Sequence, residues 1–322
     1  MSASLAGRPI RLEAPARMWI VVLIVILAGF AGAVARGRRA AARLRDEALR
    51  RLPVGVDGII PGAEAFELTR GTEAPAILLL HGGGDTPQTL RYLAEYLYAR
   101  GYHVRVPLLP GHGRAVTDFS RVAAQEWIET TRSAYRDLTR TRRWVAVGGL
   151  SMGGALAARL AAEVESLPAL VLLAPYVAMP SRISVAARLS LLWGIAVPYV
   201  SAIDPAAARS IHDREEAARS LGYGVFTPAA LRALRETVAH AIDALPNVSC
   251  PTLMIQSRED NRVPPAVAQR AFDRIGASDK ELVWVTGAGH VITVDYGRDR
   301  VFQMVGDFFD RHRGAAPIER RA

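Results

Sequence analysis

Apolar and polar positions along this chain fall into three regimes. In the first, residues 18–35 (MWIVVLIVILAGFAGAVA) run for eighteen positions without a charge. As a helix rising about 1.5 Å per residue, the run nearly spans a hydrocarbon core of about 30 Å. No polar face breaks it, as one would in a core helix. Arg8, Arg11 and Arg17 precede it, and Arg36, Arg38, Arg39, Arg43, Arg45, Arg50 and Arg51 follow. The positive excess on the C-terminal side predicts a single-pass anchor with the following chain in the cytoplasm. Ala33-Val34-Ala35 also fits a cleavage pattern, so a secretory signal peptide and export is the competing reading. The length of the run and the basic segment after it favour the anchor. Residues 36–54 form a basic juxtamembrane stretch. Within it, 36–52 read as an amphipathic helix lying on anionic lipid or as a solvated linker helix. Residues 1–17 are an N-terminal tail.

Pro53-Val54-Gly55 breaks the helical pattern and opens the second regime, where short apolar runs alternate with segments of helical period. Strands are expected at 65–68, 76–80, 102–108, 144–147 and 169–173. Helices are expected at 87–99, with Leu90, Leu93, Ala94 and Leu97 on one face, at 126–139 and at 155–162. Such alternation predicts right-handed βαβ units and a mainly parallel sheet.

From 175 to 248 the alternation stops. Several helical patterns follow one another without a clear strand: 184–203 is unusually apolar, 206–221 is charged and 228–245 is helical again. This reads as a helical cap inserted into the sheet domain. The alternation resumes with a strand at 252–256, a helix at 264–275, a strand at 281–285 and a helix at 298–312. The expected organisation is an α/β core in two parts, 55–174 and 249–313, around a cap at 175–248, with a disordered tail at 314–322.

Composition narrows the function. The chain has 322 residues, half of them apolar, enough for one large core with an insertion. The net charge of +9 invites a nucleic-acid reading. However, residues 1–55 hold ten arginines against Glu13, Asp46 and Glu47, and residues 311–322 hold four against Glu319. The body between them is close to neutral, which excludes a basic groove tracking phosphates. The single Cys250 excludes an intrachain disulfide, and its place before Pro251 reads as a small buried hydrophobe. No metal-ligand cluster and no phosphate loop stand out, so neither metal nor cofactor is expected.

The candidate chemistry centres on Gly148-Gly149-Leu150-Ser151-Met152-Gly153-Gly154, a G-x-S-x-G between an expected strand and an expected helix. A strand turning sharply into a helix needs small residues around the turn. The turn lifts one hydroxyl clear of the backbone, into the positive end of the helix dipole. A serine hydroxyl needs a neutral imidazole to take its proton, and the imidazole needs a carboxylate to orient it. Loops beyond the strand ends supply both. Ser257-Arg258-Glu259-Asp260 follows one strand, and Thr286-Gly287-Ala288-Gly289-His290 follows another. The candidate triad is Ser151, His290 and Asp260, with Glu259 as the competing carboxylate. The oxyanion donors expected are the backbone N–H groups of Met152 and of Gly83, in the His81-Gly82-Gly83-Gly84 loop. His81 and His112 read as residues bracing loops. Trp193 and Leu192, in the apolar cap segment, read either as walls of an acyl-binding pocket or as ordinary cap core.

The residues Leu80-His81-Gly82-Gly83, Pro110-Gly111-His112-Gly113, Gly149-Leu150-Ser151-Met152-Gly153-Gly154, Asp260-Asn261-Arg262-Val263-Pro264 and Gly289-His290-Val291-Ile292-Thr293-Val294-Asp295 together resemble the α/β-hydrolase superfamily. The likeness runs from about residue 55 to 313 and is nearest to bacterial carboxylesterases and monoacylglycerol lipases. It implies an α/β-hydrolase fold and a serine hydrolase that cuts carboxylic esters through an acyl-enzyme. In that family the second oxyanion donor is the residue after His-Gly and is often bulky; here Gly83 widens the site. The implied partner is a small-molecule ester, lipid-derived if residues 18–35 hold the enzyme in a membrane. A thioesterase, amidase or acyltransferase would use the same three residues. A non-catalytic ligand-binding protein on this fold is the alternative of a different class. Dehalogenase and epoxide-hydrolase relatives carry Asp where this chain has Ser151.

Overall fold

A computed structural model describes residues 14–201 and 210–314. Most of the N-terminal tail, part of the apolar and charged cap segments, and all but the first residue of the expected disordered tail lie outside the described residues. In chain order the strands are β1 (Phe66–Leu68), β2 (Ala76–Leu80), β3 (His103–Val106), β4 (Val145–Leu150), β5 (Leu170–Leu173), β6 (Val200–Ser201), β7 (Val225–Phe226), β8 (Thr252–Ser257) and β9 (Lys280–Val285). The α-helices are α1 (Ala14–Arg51), α2 (Arg91–Ala99), α3 (Ala124–Thr141), α4 (Met152–Glu163), α5 (Ser181–Arg188), α6 (Ser190–Trp193), α7 (Arg214–Arg219), α8 (Pro228–Ala244), α9 (Pro265–Asp273) and α10 (Arg298–His312).

Seven strands form the main sheet in the order β1-β3-β2-β4-β5-β8-β9. Every pairing in it is parallel except that of β1 with β3 at one edge. The central strands read AILLL, VAVGGL and LVLL and are buried along their whole length, because helices cover both faces. The two-residue period of the strands sorts their side chains between two cores. Ile77 and Leu79 pack with Leu93, Leu97, Phe302 and Phe309, under α2 and α10. Leu78 and Leu80 point the other way, to Trp127, Leu156 and Met254, under α3 and α4.

The chain between β5 and β8 forms the cap. It is helical, as the pattern implied, but it also holds an antiparallel pair, β6 with β7, in which Val200 faces Phe226. Two residues per strand are too few to leave a period in the sequence. α8 buries Leu231, Leu234 and Val238, and its N-cap Thr227 accepts from Ala230 N and donates to Phe119 O at 2.8 Å.

The basic segment after the apolar run is neither a separate element nor a solvated linker. α1 continues unbroken to Arg51, and Ala41, Ala48 and Leu52 are buried in the core cluster that includes the cap. Arg38 Nε donates to Ile195 O at 2.9 Å, and Arg51 donates to Gly222 O. A Cβ on Gly37 would lie 2.9 Å from Ala196 O, so the two backbones meet where only glycine fits. Burying this stripe against the cap removes apolar surface from water, which a free solvated helix would not do.

Candidate active site

β4 ends at Leu150 and α4 starts at Met152, which leaves Ser151 alone in the turn. Its φ of 55° and ψ of −118° lie where side-chain-bearing residues rarely sit. The surroundings hold it there: Ser151 N donates to Leu173 O at 2.9 Å, and Ser151 O accepts from Tyr176 N at 2.9 Å. The flanking glycines are needed for closeness. A Cβ on Gly149 would meet Gly153 O at 2.1 Å, and one on Gly153 would meet Leu80 O at 2.0 Å. The turn thus presents the hydroxyl at the N-terminus of α4.

His290 Nε2 lies 2.7 Å from Ser151 Oγ, and His290 Nδ1 lies 2.8 Å from Asp260 Oδ2. Both His290 and Asp260 are buried. Asp260 Oδ2 also accepts from Gln256 Nε2 at 2.7 Å, while Oδ1 accepts from the backbone N–H groups of Arg262 at 2.7 Å and Val263 at 2.9 Å. Burial alone would raise this carboxyl. The His290 ring and the backbone donors outweigh it and hold the group below the usual aspartate range. The competing Glu259 turns away and accepts from Gly287 N at 2.7 Å. Of Asp260 and Glu259, the geometry brings Asp260 to the imidazole.

The sequence alone assigns no role to two supporting residues, Gln256 and Asp295. Gln256 orients Asp260 from within β8. A glutamine directly after the apolar Leu253-Met254-Ile255 of this fully buried strand is the signal that could have found it, since a buried amide needs partners. Asp295 accepts from Gly289 N at 2.7 Å, His212 N at 2.8 Å, Asp213 N at 2.9 Å and Tyr296 N at 2.8 Å. It ties the loop that carries His290 to the cap.

The loop after β2 lies across from the serine. Gly83 stands beside Met152: a Cβ on it would be 3.1 Å from the Met152 Sδ. Two buried histidines hold this loop. His112 Nε2 accepts from Gly84 N at 2.9 Å while Nδ1 donates to Pro110 O at 3.0 Å. His81 Nδ1 donates to Gly82 O at 2.9 Å, and its Nε2 accepts from Leu109 N at 3.1 Å. Burial pushes His81 down to about 4 against the pull of the Gly82 carbonyl, and burial with the neighbouring His81 holds His112 well below the ordinary histidine value. Both rings are neutral braces for the loop.

Ser151, His290, Met152 and Gly83 all line one cavity of about 520 Å³. Its apolar walls are Tyr176, Ile211, Val225, Phe226, Leu234 and Val291. Asp85 also faces it, and burial pushes this carboxyl up to about 7 against the hydrogen bonds from Thr86 and Thr89. Leu192 and Trp193 are not in the wall. Leu192 is 73% exposed on the outside of the cap, and the Trp193 indole N–H donates to Ala186 O at 2.7 Å. Their hydrophobicity marks them in the sequence, but the cap's share of the apolar wall comes from Tyr176 and Ile211, from Val225 and Phe226 of β7 and from Leu234 of α8. Among the described residues no group of three or more His, Cys, Asp or Glu side chains is placed to hold a metal.

Known proteins resemble this chain in sequence and fold. Residues 72–296 match the Hydrolase_4 family, described as serine aminopeptidase, S33. A thermostable monoacylglycerol lipase from Bacillus sp. (strain H-257) is 30% identical over 80% of this chain and 98% of its own length. A carboxylesterase from Bacillus subtilis (strain 168) is 27% identical over 73% of this chain and 92% of its own. A solved structure of a lipolytic enzyme of metagenomic origin, of the LipS and LipT pair, superposes with a TM-score of 0.70 at 28% identity, covering 79% of this chain and 100% of its own. With this sheet order, this serine turn and these relatives, the chain belongs to the Hydrolase_4 (serine aminopeptidase, S33) family, as an ester hydrolase of the α/β-hydrolase type.

Proposed function

We propose that the chain is a membrane-anchored serine hydrolase that cleaves carboxylic esters of the monoacylglycerol type through an acyl-enzyme, with Ser151 as nucleophile, His290 as general base and acid, and Asp260 as its carboxylate. The observation that carries this reading is the unbroken line from Asp260 Oδ2 through His290 to Ser151 Oγ, with both contacts under 3 Å, opening on a cavity with apolar walls.

Because Asp260 accepts the Nδ1 proton, the lone pair of Nε2 faces Ser151 Oγ. As the hydroxyl attacks the ester carbonyl, its proton passes to Nε2, and the imidazolium is stabilised by the Asp260 charge. The carbonyl oxygen becomes an oxyanion, for which the backbone N–H groups of Met152 and Gly83 are the donors. Met152 adds the positive end of the α4 dipole. Collapse expels the alcohol with the proton from Nε2 and leaves an acyl group on Ser151. A water activated by the same imidazole then releases the acid. The apolar walls suit an acyl chain. Among the described residues, α1 is the one helix long and apolar enough to cross a membrane. The arginine excess that follows the apolar run supports a cytoplasmic catalytic body. The docking of the same helix on the cap supports an anchor that works as part of the enzyme.

The test is turnover by the full chain in mild detergent, on p-nitrophenyl esters of increasing chain length and on a monoacylglycerol, beside Ser151→Ala. Hydrolysis that falls by more than about 10³-fold in the variant supports the reading. Equal hydrolysis by both proteins would remove Ser151 from the reaction.

A further inference from the structure

Outside the apolar run of α1, six of the ten exposed large apolar side chains among the described residues fall in one short segment, the others being Leu49, Val54, Val56 and Tyr296. Ile183, Val185, Leu189, Leu191, Leu192 and Ile195 all lie on the outside of α5, α6 and the turn after them, with Leu191 68% and Ile195 65% exposed. A cluster of this kind on one face of a domain marks a contact surface.

The position of that surface is set by α1. The apolar run ends at Ala35. Only two and three residues on, Gly37 abuts the backbone of Ala196, and Arg38 Nε reaches Ile195 O at 2.9 Å. At about 1.5 Å per residue, Ile195 therefore lies within about 5 Å, along the helix axis, of the end of the hydrocarbon span. This is the depth at which interfacial helices bury their apolar faces. Charge agrees with position. Residues 14–45 and 175–201 contain no Asp or Glu. Arg36 and Arg39 on α1, and Arg182 and Arg188 on α5, are exposed, as suits anionic headgroups.

We infer that the α5–α6 corner of the cap is a second membrane contact, with Leu191, Leu192 and Ile195 set into the headgroup boundary of the bilayer that α1 spans. The inference rests on the anchor reading above. The occupant is the lipid surface itself, rich in anionic headgroups. The close fit at Gly37 fixes the cap against the anchor, so helix and corner enter the membrane as one rigid piece. The cap, and with it β7 and α8 of the cavity wall, is thereby held at the lipid surface.

The test uses the full chain in vesicles of phosphatidylcholine and phosphatidylglycerol. Cys250 is buried, and in a Cys250→Ala background a single thiol is introduced by Leu191→Cys or, separately, by Leu27→Cys. Each is labelled with an environment-sensitive NBD fluorophore, and quenching by shallow and deep doxyl lipids is measured. The inference expects the label at 191 to be quenched about twofold or more by shallow doxyl lipids, and the label at 27 by deep ones. Quenching at 27 with a water-exposed label at 191 would overturn the inference and leave the anchor standing. No quenching at 27 would overturn the anchor and the inference together. A blue-shifted but unquenched label at 191 would overturn it in favour of contact with a second copy of the chain.

Discussion

Gln256 Nε2 donates to Asp260 Oδ2 at 2.7 Å, and this is the carboxylate oxygen that faces His290 Nδ1. One oxygen thus serves two donors, and the amide from β8 determines where it sits. Gln256 touches no substrate and acts through Asp260. Gln256→Leu is expected to lower kcat about tenfold or more, with KM nearly unchanged, because a hydrogen bond to a charged group is worth about 1.5–3 kcal/mol. Gln256→Glu would place a second acid against Asp260 and should lower kcat further. Steady-state kinetics on a soluble ester separates these outcomes from a general loss of folded protein.

The two neighbouring carboxylates are expected to differ sharply. Asp260→Asn removes the acceptor that sets the His290 tautomer and should lower kcat about 10⁴-fold. Glu259 accepts from Gly287 N and stands 3.7 Å from His212 Nδ1, in an exposed position and away from the imidazole of His290, so Glu259→Gln should change kcat by about twofold at most. Equal effects at both positions would contradict the assignment.

The turn itself is the next expectation. Gly153→Ala would drive a Cβ to 2.0 Å from Leu80 O, where the obstacle is backbone and cannot swing away. A cost of about 3 kcal/mol or more is expected, seen as a lower denaturation midpoint together with lost activity.

Asp85 supplies a pH expectation. Its folded-state value is raised to about 7, chiefly by burial, whereas an unfolded aspartate titrates near about 3.9. The ionised form is disfavoured in the folded protein. Its penalty is absent below about pH 4, grows as pH rises to about 7, and is constant above that. Asp85→Asn should therefore stabilise the protein by an amount that increases over this window, reaching on the order of 2 kcal/mol once water in the cavity is allowed for. Denaturant midpoints at pH 5 and pH 8 would show it, and a gain that does not grow with pH would contradict it.

Much of this architecture is legible in the sequence. The strands at 76–80, 169–173 and 252–256 announce themselves as apolar runs because both sheet faces are covered, and the serine turn follows from glycines that only close backbone packing requires. Ser151, Asp260 and His290 stand in loops after strand ends, so local spacing and the rule for parallel sheets were enough to put them in one place. The docking of α1 was not legible. Ala41, Ala48 and Leu52 form a stripe, but nothing local says that its partner is a cap some 150 residues away. Leu192 and Trp193 misled for a related reason: hydrophobicity reports avoidance of water and does not name the shelter. Gln256 and Asp295 work through hydrogen bonds that exist only once β8, the His290 loop and the cap are assembled.

Covalent capture at Ser151 is the most direct test of the proposed chemistry. The full chain, folded in detergent, would be treated with a fluorophosphonate probe beside Ser151→Ala and Asp260→Asn, and the modified peptide located by mass. The expected result is a single adduct on Ser151, absent from the first variant and slowed by orders of magnitude in the second. A folded wild-type chain that takes no label, or that takes it at another residue, would contradict Ser151 as the nucleophile.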